Sequence, residues 1–488
     1  MGGRGAQGRG LYSVFYDLET TTKFNVGQIL NYCFTLVAPD LTPVRELAGR
    51  VRISRLELPA PGAILANRTN VLDHQATTTD TEPVALNRIA EFLWAAVREY
   101  EAVNLIGYNS SKFDLQYLRT SLARNGINPY FGGRLFYRDL YHAAKKLAVS
   151  APNFPRGPAP RPRSGDEGRL SLSLETLTRA AGILTEAQRH EAKADVEITL
   201  KLAVYFRDTF GLDVTSFQGY EALAYHRKPR SGEVVWMMEP NYDLSSAERV
   251  ALAPMILLEG TDRSALWVDL ERYRGGAGRG AIRWMNPGTK YFFCGTPPLD
   301  APRDLAATAT QALEDFRGVS LATYFSTTDC DIEEHIYRLG APLIDGLGQA
   351  LKRGDPTAIR ECADAFILYK RHRLAFDQIP AEDAERRARA DKVLRLYALH
   401  RYGGEMVMVR RLDETVMESP YHPTLQALVG ELRSLLEGTT SGEDRALLSA
   451  LRAFYASSDI VRVAGAELGF TPESAPEADE TSPEGRAS

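Results

Sequence analysis

The sequence predicts an α/β protein in which a mixed sheet is covered by helices, followed by a small β-rich unit and a helical C-terminal part. Three observations carry this. Leu11 to Tyr16 and Gln28 to Val37 are rich in aromatic and β-branched residues, as strands are, with Val51 to Ile53 a weaker third. Val84 to Tyr100 places Ile89, Phe92, Leu93, Ala96, Val97 and Tyr100 on one face of a helix. Val103 to Tyr108 then reads as another strand. A strand meander giving way to alternating helix and strand is the pattern of a sheet with helices packed on it.

Further along, residues 153–168 (NFPRGPAPRPRSGDEG) are too dense in Pro and Gly for regular structure. Helical patterning resumes near Leu172, so this stretch reads as a surface insertion within a domain. A helix from Ala192 to Asp208 carries Val196, Leu200, Ala203 and Val204 on one face. From Val214 to about Gly318 short apolar runs are cut by Gly and Pro, including Arg274 to Gly280, which suggests a β-rich unit. From Leu321 onward the pattern is almost wholly helical, with Thr357 to Leu399 reading as two helices separated at Pro380. The expected organisation is a flexible leader over 1–10, domains over 11–210, 211–318 and 319–470, and a disordered acidic tail over 471–488.

Composition narrows the function classes. The 488 residues carry 58 Lys and Arg against 63 Asp and Glu, a net charge of −5, with 44% hydrophobic residues. This balance excludes a wholly disordered chain and suits two to four domains. The longest apolar run, Val250 to Leu258, contains Pro254 and falls far short of the roughly 20 residues that span a bilayer. The N-terminus has no apolar signal-peptide core. Cys33, Cys294, Cys330 and Cys362 lack paired spacing, which argues against a zinc module or a disulfide framework. A cytoplasmic location and no membrane partner are expected.

Three short segments carry chemistry. Asp17 and Glu19 flank Leu18 at the end of the first strand, so their side chains point to one face. Like charges placed together are costly unless a cation neutralises them. Asp114, in Asn109-Ser110-Ser111-Lys112-Phe113-Asp114, stands where a strand and polar turn lead into a helix; helix capping is its ordinary role. His190 and Asp195 lie just before and within the first turn of the next helix, where an acid complements the helix dipole. Each has a plain structural reading alone. Together they are five chemically suited residues at strand ends and helix starts.

With FYDLET (Phe15 to Thr20), IGYNSSKFD (Ile106 to Asp114), LSLSLETLTRAAGI (Leu170 to Ile183) and HEAKAD (His190 to Asp195), the chain resembles the DEDDh family of 3′→5′ exonucleases, on its exodeoxyribonuclease I branch. The histidine at 190, with no Tyr just ahead of Asp195, favours DEDDh over DEDDy. The resemblance implies an RNase H-like sheet over 11–210, an SH3-like unit over 211–318 that includes Ile282 to Gly288 (IRWMNPG), and a helical C-terminal domain containing the basic segment Leu368 to Phe376 (LYKRHRLAF). It departs from the family in two places. Thr21-Thr22-Lys23 stands where many relatives have Gly, and Ser173 where relatives commonly have a substrate-contacting Arg, for which Arg169 or Arg179 are candidate substitutes.

The implied function is metal-dependent hydrolysis of single-stranded DNA from the 3′ end, releasing nucleoside 5′-monophosphates in DNA repair or recombination. Asp17, Glu19, Asp114 and Asp195 offer only oxygen ligands, which suits two Mg²⁺ ions with Mn²⁺ as a substitute. His190 is then free to take the proton of the attacking water. Leu18, Thr20, Tyr108, Asn109 and Phe113 are expected at the nucleic acid, with Lys370, Arg371 and Arg373 lining a groove for single-stranded DNA unless they pair with carboxylates instead. A monomer engaging the single-stranded-DNA-binding protein is the expected partner state. An exoribonuclease acting on short RNA or RNA 3′ ends is the alternative enzyme, and an inactive nucleic-acid-binding protein on the same scaffold the alternative class.

Overall fold

A computed structural model describes residues 11–24, 27–110, 113–151, 153–155, 157–158, 170–184, 191–216, 232–238, 252–260, 265–285, 292–294, 304–320, 325–327, 349, 353, 391, 394–395, 398–399, 401–403, 406–411, 416–420 and 423–470. The expected leader and tail, His190 and the cations Lys370, Arg371 and Arg373 lie outside these residues, as do most of the two helices expected over 357–399.

Strands β1 (Ser13–Thr20), β2 (Ile29–Val37), β3 (Pro43–Arg50), β4 (Val103–Gly107) and β5 (Leu135–Asp139) form one sheet in the order β3-β2-β1-β4-β5. The β1–β2 and β2–β3 pairs are antiparallel, and β1–β4 and β4–β5 are parallel. Each parallel pair is reached through helix, as crossover connections require: α1 (Pro61–Ala66), α2 (Val71–Thr77) and α3 (Glu82–Tyr100) before β4, and α4 (Asp114–Arg124) before β5. The third strand is Pro43–Arg50, not the expected Val51 to Ile53. PVRELAGR is an edge strand whose residues are mostly exposed, so no apolar run marks it. Val51 and Ile53 are instead buried just past its end, Val51 still donating to the carbonyl of Leu30 at 2.8 Å.

Alternation along β1 assigns its two faces. Val14, Tyr16 and Leu18 pack with Leu86, Ile89, Leu93 and Val97 of α3 and with Leu118 and Leu122 of α4. Phe15 faces the other way, among Leu147 of α5 (Leu140–Ser150) and Val196, Leu202 and Phe206 of α7 (Ala192–Phe210); the short α6 (Leu174–Ala180) lies between these two helices in the chain. Asp17 and Glu19 therefore share the face of Phe15, beside the first turn of α7. α7 ends at Gly211, whose φ of 65° is a left-handed cap that non-glycine residues rarely adopt.

Within the insertion, Gly157–Pro158 (β6) and Leu170–Ser171 (β7) form a minimal antiparallel ladder. Beyond residue 216 the β-rich expectation is met by an antiparallel sheet of order β11-β10-β9-β8-β12, built from β8 (Val235–Met238), β9 (Leu252–Gly260), β10 (Ala265–Asp269), β11 (Ile282–Met285) and β12 (Phe292–Cys294). It shares a core with α8 (Leu270–Arg274) and α9 (Leu305–Asp315).

The C-terminal part is not wholly helical. β13 (Phe325–Thr327), β14 (Met406–Arg411) and β15 (Val416–Pro420) form a three-stranded antiparallel sheet. MVMVRR and VMESP are short apolar runs that periodicity alone does not separate from helix, and a hairpin needs only the four residues between them. Three helices follow: α10 (Leu425–Gly438), α11 (Gly442–Ser457) and α12 (Asp459–Ala464), capped by the side chains of Thr424, Ser441 and Ser458. Their apolar faces meet Ile53, Leu56, Leu58, Ile64 and Val71 in one core, so residues near both ends of the chain are buried together.

A buried ion pair joins the start of α3 to the end of α4: Arg124 donates to Glu82, both at least 93% buried, and to the carbonyl of Gly27 at 3.1 Å. Removing one partner strands a buried charge. Arg124→Met should lower stability by about 3–5 kcal/mol, and Arg124→Met with Glu82→Gln should recover most of it, both read as urea midpoints.

Candidate active site

The acidic end of β1 gathers carboxylates from three elements. Glu19 pairs across the ladder with Asn31 of β2. The Asn31 side chain accepts from the amide of Ala192 at 3.3 Å, pinning the first turn of α7 to the sheet edge and bringing Asp195 with it. Carboxylate oxygens of Asp17, Glu19 and Asp195 consequently lie within 4.8 Å of one another. Asp114 enters from α4, where it is the first helical residue and Phe113, not Asp114, holds the cap position. The backbone amide of Leu18 favours the charged form of the Asp114 carboxylate.

The electrostatics follow from crowding. Burial, then the charges of Asp114, Glu19 and Asp195, hold the Asp17 carboxyl well above its usual range. Burial, then Asp195, Asp114 and Glu191, push Glu19 up to about 9. Asp114 is pushed up to about 8, burial outweighing the amides of Leu18 and Asp114 itself. Such a cluster holds protons or cations, and its donors are hard oxygens only. That set fits Mg²⁺ or Mn²⁺.

The turn after β4 has its own support. Asn109 adopts a φ of 55°, a left-handed conformation that Asn tolerates, and its amide donates to the Asp139 carboxylate at 2.7 Å. Asp139 also caps α5 through the amide of Tyr141 at 3.0 Å, and its charge reaches Asp114. The loop after Glu19 is fixed from several sides. The Asn67 amide donates to the carbonyl of Thr20 at 3.1 Å. The Tyr117 hydroxyl, on the helix that begins with Asp114, donates to the carbonyl of Thr22 at 2.7 Å. Gly27 lies so close to Thr22 and Tyr117 that a Cβ there would collide with both.

This loop borders a cleft of about 590 Å³ lined by Glu19, Thr20, Lys23, Phe24 and Phe113 on one side and by Thr424, Ala427 and Glu431 of the C-terminal part on the other. Of the expected nucleic-acid contacts, Phe113 and Thr20 reach this cleft, although the Thr20 hydroxyl is spent on the carbonyl of Thr22 at 3.0 Å. Leu18 is 4% exposed and its side chain belongs to the core, so what it offers a substrate is its backbone. Tyr108 donates its hydroxyl to the carbonyl of Leu172 and sets its ring against Tyr141. Ser173 caps α6 by accepting from the amide of Thr176 at 3.2 Å, and Arg179 pairs with Glu175 at 2.9 Å. Asp139 stands between a strand and a helix pattern, a capping signal that sequence reading passed over. Asn31, Asn67 and Tyr117 carry no such signal.

No family model matches the chain. A stretch of 152 residues is 28% identical to exodeoxyribonuclease I of Escherichia coli (strain K12), covering 30% of this chain and 29% of that relative. The likeness in three dimensions runs much further: exonuclease I from Methylocaldum szegediense superimposes with a TM-score of 0.62 at 18% identity, over 92% of this chain and 100% of that one. The chain has the exonuclease I fold. The zinc-bound complex of E. coli exonuclease I with single-stranded DNA gives a TM-score of 0.65 at 16% identity, over 93% and 100% of the two chains. A further similar structure pairs exonuclease I with SSB. In sequence and fold the chain is exodeoxyribonuclease I-like.

Because these carboxyls keep protons in the folded chain that the unfolded chain releases near pH 4, the folded state binds more protons from there to about pH 8–9, where Asp114 and Glu19 titrate. Stability must fall as pH rises through that window. Thermal melts in EDTA should show a midpoint declining from pH 5 to pH 9. Asp17→Asn with Glu19→Gln should flatten the decline, and Mn²⁺ should raise the midpoint most at the alkaline end.

Proposed function

We propose that the chain is a metal-dependent 3′→5′ exonuclease that degrades single-stranded DNA and releases nucleoside 5′-monophosphates. The convergence of Asp17, Glu19 and Asp195 within 4.8 Å, facing Asp114, carries the reading. Solved relatives support the substrate: E. coli exonuclease I has been seen with single-stranded oligonucleotides, and exonuclease I with SSB. The β3-β2-β1-β4-β5 order supports an RNase H-like nuclease domain over 11–210, and the antiparallel sheet an SH3-like domain over 211–318. Residues 319–470 make up a mainly helical C-terminal domain.

In this reading the four carboxylates hold two divalent cations, Mg²⁺ with Mn²⁺ as a substitute. Bound there, the pair supplies activation of a water and relief of charge on the leaving oxygen. His190, five residues before Asp195, accepts the proton of the attacking water at an imidazole nitrogen. Phe113 and the apolar side of the cleft receive the terminal base, the backbones of Leu18 and Thr20 its sugar, and the turn at Tyr108 and Asn109 supports Asp114. Lys370, Arg371 and Arg373 contact phosphates further along the strand. The protein acts as a cytoplasmic monomer in DNA repair or recombination, with single-stranded-DNA-binding protein as its partner.

Digestion of 5′-labelled single-stranded DNA, duplex DNA and RNA tests this directly. A ladder shortening from the 3′ end of single-stranded DNA is expected with Mg²⁺, and its loss in EDTA or in Asp114→Ala. Faster cleavage of RNA would make the protein an exoribonuclease. No hydrolysis of any strand would leave a nucleic-acid-binding scaffold.

His190→Ala should retain Mn²⁺ and DNA binding but cleave about 10²–10⁴-fold more slowly, with partial recovery at raised pH as hydroxide replaces the base. Wild-type rates in His190→Ala would remove the residue from the mechanism.

A further inference from the structure

A second buried ion pair spans the chain. Arg401, in the C-terminal part, donates to Glu57 at 2.7 Å, and both side chains are at most 1% exposed. The other carboxylate oxygen of Glu57 accepts from the hydroxyl of Thr21 at 2.6 Å. That hydroxyl in turn accepts from the amide of Gln28 at 2.9 Å, while the Thr21 amide donates to the Gln28 carbonyl at 2.8 Å. Thr21 lies two residues beyond Glu19, is fully buried, and is therefore out of reach of any substrate. Beside this chain of bonds, the Tyr402 hydroxyl accepts from the amide of Leu58 at 2.9 Å and donates to the carbonyl of Leu56 at 3.1 Å. The Tyr455 hydroxyl donates to the carbonyl of Pro59, and the Ala60 amide to the carbonyl of Thr21 at 2.7 Å.

A buried ion pair is weak evidence for stability, because desolvation offsets much of the attraction. What it does fix is position: each group needs the other, and Glu57 has no exposed alternative. Here the position fixed is that of Thr21, and Thr21 closes the loop whose neighbours are already bound to the helix of Asp114 through Tyr117 and Thr22. The loop places a hydroxyl at position 21 and buries a carboxylate and a guanidinium to hold it.

We propose that Arg401, Glu57 and Thr21 form a positioning relay by which the C-terminal part sets the spacing of the nuclease carboxylates. The inference rests on the nuclease reading, and it deepens it: the C-terminal part completes the metal site as well as walling the cleft. The relay acts through Glu19 and does not touch the reacting atoms.

Thr21→Val removes the hydroxyl at nearly constant volume and leaves the Arg401–Glu57 pair in place. In the full chain it should weaken Mn²⁺ binding about tenfold by calorimetric titration, the lower end for groups that support metal ligands. It should lower kcat on a trinucleotide by a similar factor while leaving KM for a long strand unchanged, and it should lower the urea midpoint as well, because the buried Glu57 oxygen and the Gln28 amide lose their partner. Thr21→Ser, which keeps the hydroxyl, should restore Mn²⁺ affinity. Glu57→Gln with Arg401→Met should reproduce the Thr21→Val defect, and if that double variant does not fold, Thr21→Val and Thr21→Ser decide alone. A Thr21→Val protein that binds Mn²⁺ and cleaves the trinucleotide like wild type overturns the relay. A wild-type chain that takes up no more Mn²⁺ than Asp17→Ala overturns the nuclease reading, and the relay with it.

Discussion

Like-charge repulsion at the end of β1 is the constraint on which the rest of the structure depends. Three carboxylates within 4.8 Å of one another would each repel the next by about 3 kcal/mol at an effective dielectric of about 20. Three such pairs approach the whole stability of a domain, about 5–15 kcal/mol, whereas a single hydrogen bond contributes about 1 kcal/mol. No one contact can hold the cluster together. The chain answers in two ways: it retains protons, as the raised carboxyls of Asp17, Glu19 and Asp114 show, and it braces every element that delivers a carboxylate. Asn31 holds the start of α7, and Asp139 holds the turn before α4.

The bracing explains why the N-terminal sheet and the C-terminal helices share a core. Leu56, Leu58 and Ile64 are buried with Leu428, Leu432, Leu448 and Leu451, each worth about 1.5–3 kcal/mol on burial. Around this core the ion pairs of Arg68 with Asp444 and Glu443, and of Arg55 with Asp459, are exposed and contribute little energy. They set orientation while the apolar contact supplies affinity. Glu431, which accepts from the amide of Gly62 at 3.1 Å, does the same at the cleft rim. The wall opposite Phe113 is thereby held by residues more than 300 positions away in sequence.

What was legible in the sequence was whatever one residue or one short run expresses. Asp17 and Glu19 announce themselves by strand alternation, Asp114 and Asp195 by their places at helix starts, and β1, β2, β4, α3 and α7 by periodicity. β3 was misplaced because an exposed edge strand has no apolar alternation to read. β13 to β15 were missed because runs of three to six residues fit helix as well as strand. The relay through Thr21, Glu57 and Arg401 was invisible for a different reason: a buried pair separated by 344 residues leaves no local pattern, and a lone Glu or Arg reads as surface. Leu18 sits between Asp17 and Glu19, and the alternation that turns those two toward the site turns its side chain into the core.

Ser173 illustrates how one small side chain positions a neighbouring segment of the site. Ser173 caps α6 and so fixes the segment whose Leu172 carbonyl receives the Tyr108 hydroxyl, which keeps α6 beside the turn that leads to Asp114. Ser173→Arg would lose the cap, at a cost of about 1 kcal/mol. Arg179 stands at the other end of the same helix, in an exposed i,i+4 pair with Glu175 that contributes about 0.3–0.5 kcal/mol. A phosphate oxygen offers a guanidinium a stronger, bidentate partner. Exchanging Glu175 for a phosphate thus costs little, and the cap at Ser173 holds that arginine's helix in place.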